Sequence, residues 1–200
     1  MPVAQALVAP MIINWGQADL GRPWFPFFLW VVALEWLLVL AVVWDLRGRS
    51  LTLADVGWPS ISRRDVTILA LVAGAFAAFV LSVGDSESAR IVDGPWLLPR
   101  FTNEKLFMLV VAFTAGICEE ILYRGYAFQT LRGLGIPKAG AVLVAIVSFT
   151  LIHGPNQETT LLLVRVGAAI VFFALYLWRG NLKAAIALHM LADAQLALST

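Results

Sequence analysis

Long apolar runs separated by short polar breaks organise this chain. A membrane-spanning helix needs about 20 predominantly apolar residues, and six runs approach that length. Phe27 to Trp44 is the first, followed by Arg47, Gly48, Arg49 and a polar loop to Arg64. Val66 to Val83 is the second; the linker Gly84 to Asn103 after it carries Asp85, Glu87, Arg90, Asp93, Pro95 and Pro99. Glu104 to about Leu131 is the third, longer than one crossing requires, and Gly133, Gly135 and Pro137 end it. Lys138 to His153 is the fourth, stopped by Gly154-Pro155; Thr159 to Trp178 is the fifth, ending at Arg179-Gly180-Asn181; Leu182 to Leu198 is the sixth. Val3 to Ile13 is apolar but contains Pro10 and is too short to span, so it reads as an interfacial segment. The pattern predicts an all-α polytopic membrane helix bundle of about six transmembrane helices plus an N-terminal interfacial segment. It forms one integral membrane domain over 1–200, with no internal repeat.

Composition strengthens this reading. Of 200 residues, 60% are hydrophobic and 14% charged, against about 25% charged in soluble domains. Trp24, Trp30, Trp44, Trp58 and Trp178 lie near segment ends, where indole rings anchor at the bilayer interface. A net charge of +1 without a basic run excludes nucleic acid as a partner and leaves the lipid bilayer. Before Arg22 there is no basic residue, so the N-terminus does not read as a secretory signal. Basic residues favour the loops after the first, third and fifth helices (Arg47, Arg49, Arg63, Arg64, Arg132, Lys138, Arg179, Lys183) over the other side (Arg22, Arg90, Arg100, Lys105). By the positive-inside rule the first set is cytoplasmic. The single cysteine, Cys118, excludes an internal disulfide and a CxxC metal site, and reads as packing.

Ionisable residues inside membrane helices are costly and usually face a bundle interior or cavity. Glu35, Glu119, Glu120, Arg124, Arg165 and Asp193 are such residues, joined by His153 and His189. Glu120 and Arg124 are four apart with the acid first, the favourable order for a helical ion pair. Glu119 points about 100° away from Glu120 on a helix, so one carboxylate is neutralised while the other stays available. A purely structural Glu–Arg lock is the alternative. Phe149 and His153 share a face at the same spacing, and His153 by itself equally suits a hydrogen bond to a loop carbonyl. His189 and Asp193 also lie one turn apart: Asp193 either fixes the histidine tautomer or acts beside it, or the two are polar glue between helices. Glu35 and Arg165 have no motif around them and read as structural, Arg165 as a snorkelling side chain.

Taken together, Glu119-Glu120-x-x-x-Arg124, Phe149-x-x-x-His153 and His189-x-x-x-Asp193 resemble the three motifs of the CPBP family, the CAAX proteases and bacteriocin-processing proteins also called Abi. Gly180-Asn181-Leu182-Lys183-Ala184-Ala185-Ile186 resembles that family's approach to its last motif. The resemblance covers Leu106 to Asp193, within a motif core of approximately 104–198. It implies an intramembrane endopeptidase acting on a membrane-associated protein or peptide, in the cytoplasmic membrane of a prokaryote. Glu119 would be the general base for a water and His153 would hold that water; His189 and Asp193 would stabilise the oxyanion. Glu120, Arg124 and Phe149 would support them. Asp193 stands where CAAX-type members carry Asn, and an ionised aspartate has no proton to donate. It would be protonated, orient His189 or bind a metal.

Peptide hydrolysis needs a water, a base within reach and donors at the developing oxyanion, which Glu119, His153 and His189 supply. The same three residues also make a two-histidine, one-glutamate zinc set, although HExxH is absent. A metal-free glutamate mechanism stands ahead, with a divalent metal such as zinc as the other option. A non-enzymatic bacteriocin-immunity or scaffold protein and a small proton-coupled transporter are the competing functions.

Overall fold

The computed structural model describes residues 24–58, 102–153 and 159–194, with positions 60, 62, 63, 67 and 71. The expected interfacial segment, nearly all of the second expected helix and the end of the sixth lie outside the described residues. Among those described there is helix and no strand. Helix α1 is Trp24–Gly48; a 3₁₀ turn, Leu53–Val56, follows it. Helix α2, Thr102–Glu119, continues without a break into a π-helical segment, Glu120–Ala127, and then into α3, Phe128–Gly133. Helix α4 is Lys138–Leu151, α5 is Thr159–Arg179 and α6 is Lys183–Ala194.

Local chemistry explains the ends. Gly135 and Gly180 adopt φ of 83° and 66°, left-handed conformations that stop α3 and α5 and that glycine reaches without a Cβ clash. Pro137 leads into α4, and the Asn181 side-chain oxygen accepts from the Lys183 N–H at 3.1 Å, which caps α6. Helix α4 stops at Leu151, so His153 lies in the following turn rather than in the helix predicted for it. Helix α1 runs four residues beyond Trp44.

Two described helices are long and apolar enough to cross a membrane, Phe27–Gly48 and Leu162–Arg179. Only 17% and 22% of those spans are buried within the protein. Leu37, Leu40 and Trp44 on α1, Leu143 and Val147 on α4, and Leu163, Val164 and Trp178 on α5 all face outward. Soluble monomers rarely expose contiguous apolar surface on this scale, whereas lipid is its natural solvent.

The inner faces make two clusters. The larger joins Val39, Val42 and Leu46 of α1 to Ile121, Tyr123 and Phe128, to Ala141, Ala145 and Phe149, and to Phe173 and Tyr176. Phe128 packs edge-on against both Phe173 and Tyr176. The smaller cluster holds Met108, Leu109, Val111, Ala112 and Ala194. Close approach of α2 and α6 depends on Gly116: a Cβ there would stand 2.6 Å from Met190 Cγ and 3.0 Å from the Met190 backbone nitrogen. That contact sets the residue before Met190, His189, beside the end of α2.

Two polar devices hold the loop side. Asp45 accepts from the Tyr126 hydroxyl at 2.8 Å and pairs with Arg49. Asp55 accepts from the Thr52 N–H at 2.7 Å and the Thr52 hydroxyl at 2.8 Å. These bonds, the backbone one foremost, hold the Asp55 carboxyl below its ordinary range. The Leu182 N–H reaches back to the Gly57 carbonyl at 3.0 Å, tying the start of α6 to the 3₁₀ turn.

Candidate active site

The π-helical segment begins at the second glutamate of the pair. An i→i+5 pattern is rare and is found mostly as single turns at functional sites; here it covers eight residues and includes Arg124. Among them Glu120, Ile121, Leu122, Tyr123, Arg124 and Gly125 are all buried.

Arg124 is 0% exposed. Its guanidinium lies over the ring of Phe149 at 4.3 Å and near the rings of Phe172 and Phe173, each at 5.3 Å. Stacking on ring faces suits a planar, weakly hydrated cation. Its Nη1 is 3.0 Å from Glu120 Oε1, yet no Arg124 nitrogen has a hydrogen bond of acceptable geometry. The separation is that of an ion pair while the N–H directions miss the oxygen. We therefore treat the contact as Coulombic, with the aromatic cage holding the cation in place.

Glu120 serves a second partner. Its Oε1 is 2.8 Å from His189 Nδ1. A carboxylate accepts, so Nδ1 carries the hydrogen, a tautomer assigned from the partner. This is the carboxylate–histidine arrangement that fixes ring orientation. Phe172 stacks on the imidazole with centroids 4.6 Å apart, and Phe149 meets it edge-on at 5.9 Å. The other nitrogen, Nε2, faces two more carboxyls: Asp193 Oδ2 at 3.4 Å and Glu119 Oε2 at 3.7 Å. Both are too long for hydrogen bonds, so this is the side of the ring left for chemistry. Glu120 orients His189 through Nδ1, and Asp193 lies beside Nε2.

His153 Nδ1 donates to the Phe149 carbonyl at 3.0 Å, as a histidine at a helix end readily does. That contact fixes its tautomer and leaves Nε2 for another partner. Phe149 lies between the two histidines, its ring centroid 5.2 Å from that of His153 and 5.9 Å from that of His189. It also meets Tyr123 edge-on at 5.5 Å. The aromatic residue of the second motif is thus the hub on which the other motifs pack.

Two residues that read as structural in the sequence reach this site. Glu35 of α1 is buried, and its carboxyl lies against that of Glu119. Arg165 of α5 is half-buried and lies within electrostatic range of Glu119, Asp193 and His153. Glu119, turned away from Arg124 by the helical spacing, thus has Glu35 and Arg165 as neighbours from other helices. The available signal was cost: each is a lone charge inside an apolar run, and such charges turn inward.

Zinc would need its ligands gathered around one point at about 2.0–2.3 Å. Among the described residues no group of three or more His, Cys, Asp or Glu side chains is arranged to hold a metal ion. As they stand, Glu119, His153 and His189 do not form such a set.

A cluster of three glutamates, two histidines, an aspartate and a caged arginine, set among apolar helices, defines the class of site. Residues 101–195, just under half of the chain, match the model of the family described as type II CAAX prenyl endopeptidase Rce1-like. The match agrees with the resemblance carried by the three motifs, and the matched segment contains all of them. Comparison with curated proteins and with solved structures gives no match.

Proposed function

We propose that this protein is an intramembrane endopeptidase that hydrolyses a peptide bond of a membrane-associated protein or peptide, using a water activated by Glu119. One observation carries the reading: Glu119 and Asp193 converge on the Nε2 side of a held imidazole, with Glu119 and His189 buried and Asp193 partly exposed. The match of residues 101–195 to the type II CAAX prenyl endopeptidase Rce1-like model supports it.

In this scheme Glu119 takes a proton from water as the oxygen bonds to the scissile carbonyl carbon. The carbonyl π electrons move to oxygen, and the oxyanion needs donors. With Nδ1 donating to Glu120, His189 offers Nε2–H as an imidazolium, and Asp193 offers a proton as a neutral acid. His153, its tautomer fixed by the Phe149 carbonyl, orients the water through Nε2. Collapse breaks the C–N bond, and the proton held by Glu119 passes to the leaving amine. Every step uses side chains alone, as in the glutamate-dependent reading of the motifs. The apolar runs outside the described residues complete a bundle of about six helices, in the cytoplasmic membrane of a prokaryote.

The test is Glu119→Gln in the producing cell, with protein N- and C-termini mapped against wild type. General-base loss lowers hydrolysis by about 10²–10⁴-fold, so the cleaved termini disappear while the protein itself accumulates normally. Identical termini in both strains would refute the protease reading. Chelator treatment of the purified protein leaves cleavage intact if no metal takes part.

A further inference from the structure

Helix α1 precedes the segment that matches the family, yet it delivers a carboxyl into the site. Glu35 is 2% exposed. It is the only acidic residue between Trp24 and Trp44, in the middle of an apolar span that leaves most of its other side chains facing outward. Packing of Val39, Val42 and Leu46 against Ile121 and Tyr123 fixes the rotation of α1, and that rotation turns Glu35 inward. Its carboxyl lies against that of Glu119, and its Oε2 is buried without a hydrogen-bond partner.

Two carboxylates have no hydrogen between them and cannot hydrogen-bond. At contact in a water-poor interior they repel strongly. Two carboxyls held together in such surroundings therefore keep one proton between them, the arrangement by which paired acids divide base and acid roles. Asp193, Cys118 and Tyr123 also lie within electrostatic range of Glu35, and Arg124, Arg165, Glu120 and His189 complete the ionisable surroundings of the pair. Arg124 is already opposite Glu120, so the negative charge nearest to Glu35 is that of Glu119.

We propose that Glu35 is a positioning residue that holds Glu119 through one shared proton, aiming one Glu119 oxygen at the water and keeping the pair at a single negative charge. It acts through Glu119 and not on the substrate. The proposal rests on Glu119 being the base, but the shared proton itself is a property of the resting protein and is measurable without any substrate.

Infrared difference spectroscopy on the full chain in lipid nanodiscs at neutral pH tests it. Wild type should show a strongly hydrogen-bonded carboxylic-acid carbonyl stretch that Glu35→Gln removes, because an amide donates to Glu119 but shares no proton. Glu119→Gln should move the same band, and it serves if the Glu35 variant does not accumulate. A flat difference spectrum in the carboxylic-acid region for either variant overturns the shared proton. Where a cleavage assay on a farnesylated CAAX peptide gives turnover, Glu35→Gln should lower kcat by about tenfold or more with KM unchanged, and Glu35→Asp should restore part of it. Loss of KM alone would make Glu35 a substrate contact and overturn the positioning role. A spectrum that changes while no variant affects cleavage leaves the pair standing and removes the protease reading.

Discussion

Asp45–Arg49 and Glu120–Arg124 have the same spacing and order, acid first and base four residues on. By sequence they are the same motif. The first lies at the end of α1 with Arg49 42% and Asp45 35% exposed; in the second both side chains are fully buried. The exposed pair shares its acid with the Tyr126 hydroxyl, and water satisfies what remains. The buried pair shares its acid with His189, and aromatic faces surround the base. In water such a pair contributes little. In the interior the desolvation cost rivals the attraction, and removing one partner leaves an uncompensated charge. The lesson is that spacing identifies a pair while its surroundings decide what the pair is for.

The sharpest way to break this comparison is Arg124→Met. It leaves the Glu120 carboxylate buried with His189 alone, and the expected loss is about 3–5 kcal/mol of stability, read as a lower midpoint of detergent-induced unfolding. A stable Arg124→Met protein would show that His189 neutralises Glu120 unaided. Next in size is Gly116→Ala. The added methyl meets the backbone of Met190, so α6 must back away from α2, at a cost of about 1–3 kcal/mol. Cleavage should fall further than stability does, since His189 moves with Met190. An unchanged melting curve would mean that the two helices are free to separate. The smallest effect belongs to Arg49→Met, which should leave the unfolding midpoint indistinguishable from wild type in high salt. A clear drop there would erase the contrast between the two pairs.

Much of this was legible beforehand because costly residues are conspicuous in an apolar chain. The three motifs stand out for that reason, and glycines and prolines mark the ends of α3, α4 and α5. Less legible was which carboxylate does what. Helical spacing joined Glu120 to Arg124 correctly, but that Glu120 also holds His189 depends on the crossing of α2 and α6 at Gly116, a tertiary contact with no local signature. Glu35 and Arg165 were passed over because neither has a partner at i±3 or i±4; their neighbours arrive from other helices. His153 shows the opposite limit. Its place before Gly154-Pro155 suggested a loop carbonyl as partner, whereas the bond runs back to the Phe149 carbonyl inside α4, and the helix ends two residues earlier than the apolar run suggested. The π-helical segment has no composition that distinguishes Glu-Ile-Leu-Tyr-Arg-Gly-Tyr-Ala from ordinary helix.

That segment also constrains how this sequence can change length. An α-helix tolerates substitution far better than a shift of frame, because each residue removed turns everything beyond it by about 100°. Between Glu120 and Ala127 the ladder already runs one residue wider than the α pattern on either side. A single deletion there would let the backbone relax into a regular helix with better hydrogen bonds. It would also swing Phe128 away from Phe173 and Tyr176, or swing the glutamates away from His189. The less regular backbone is therefore a matter of indexing: it lets one continuous helix address a reactive face at its centre and a packing face at its end.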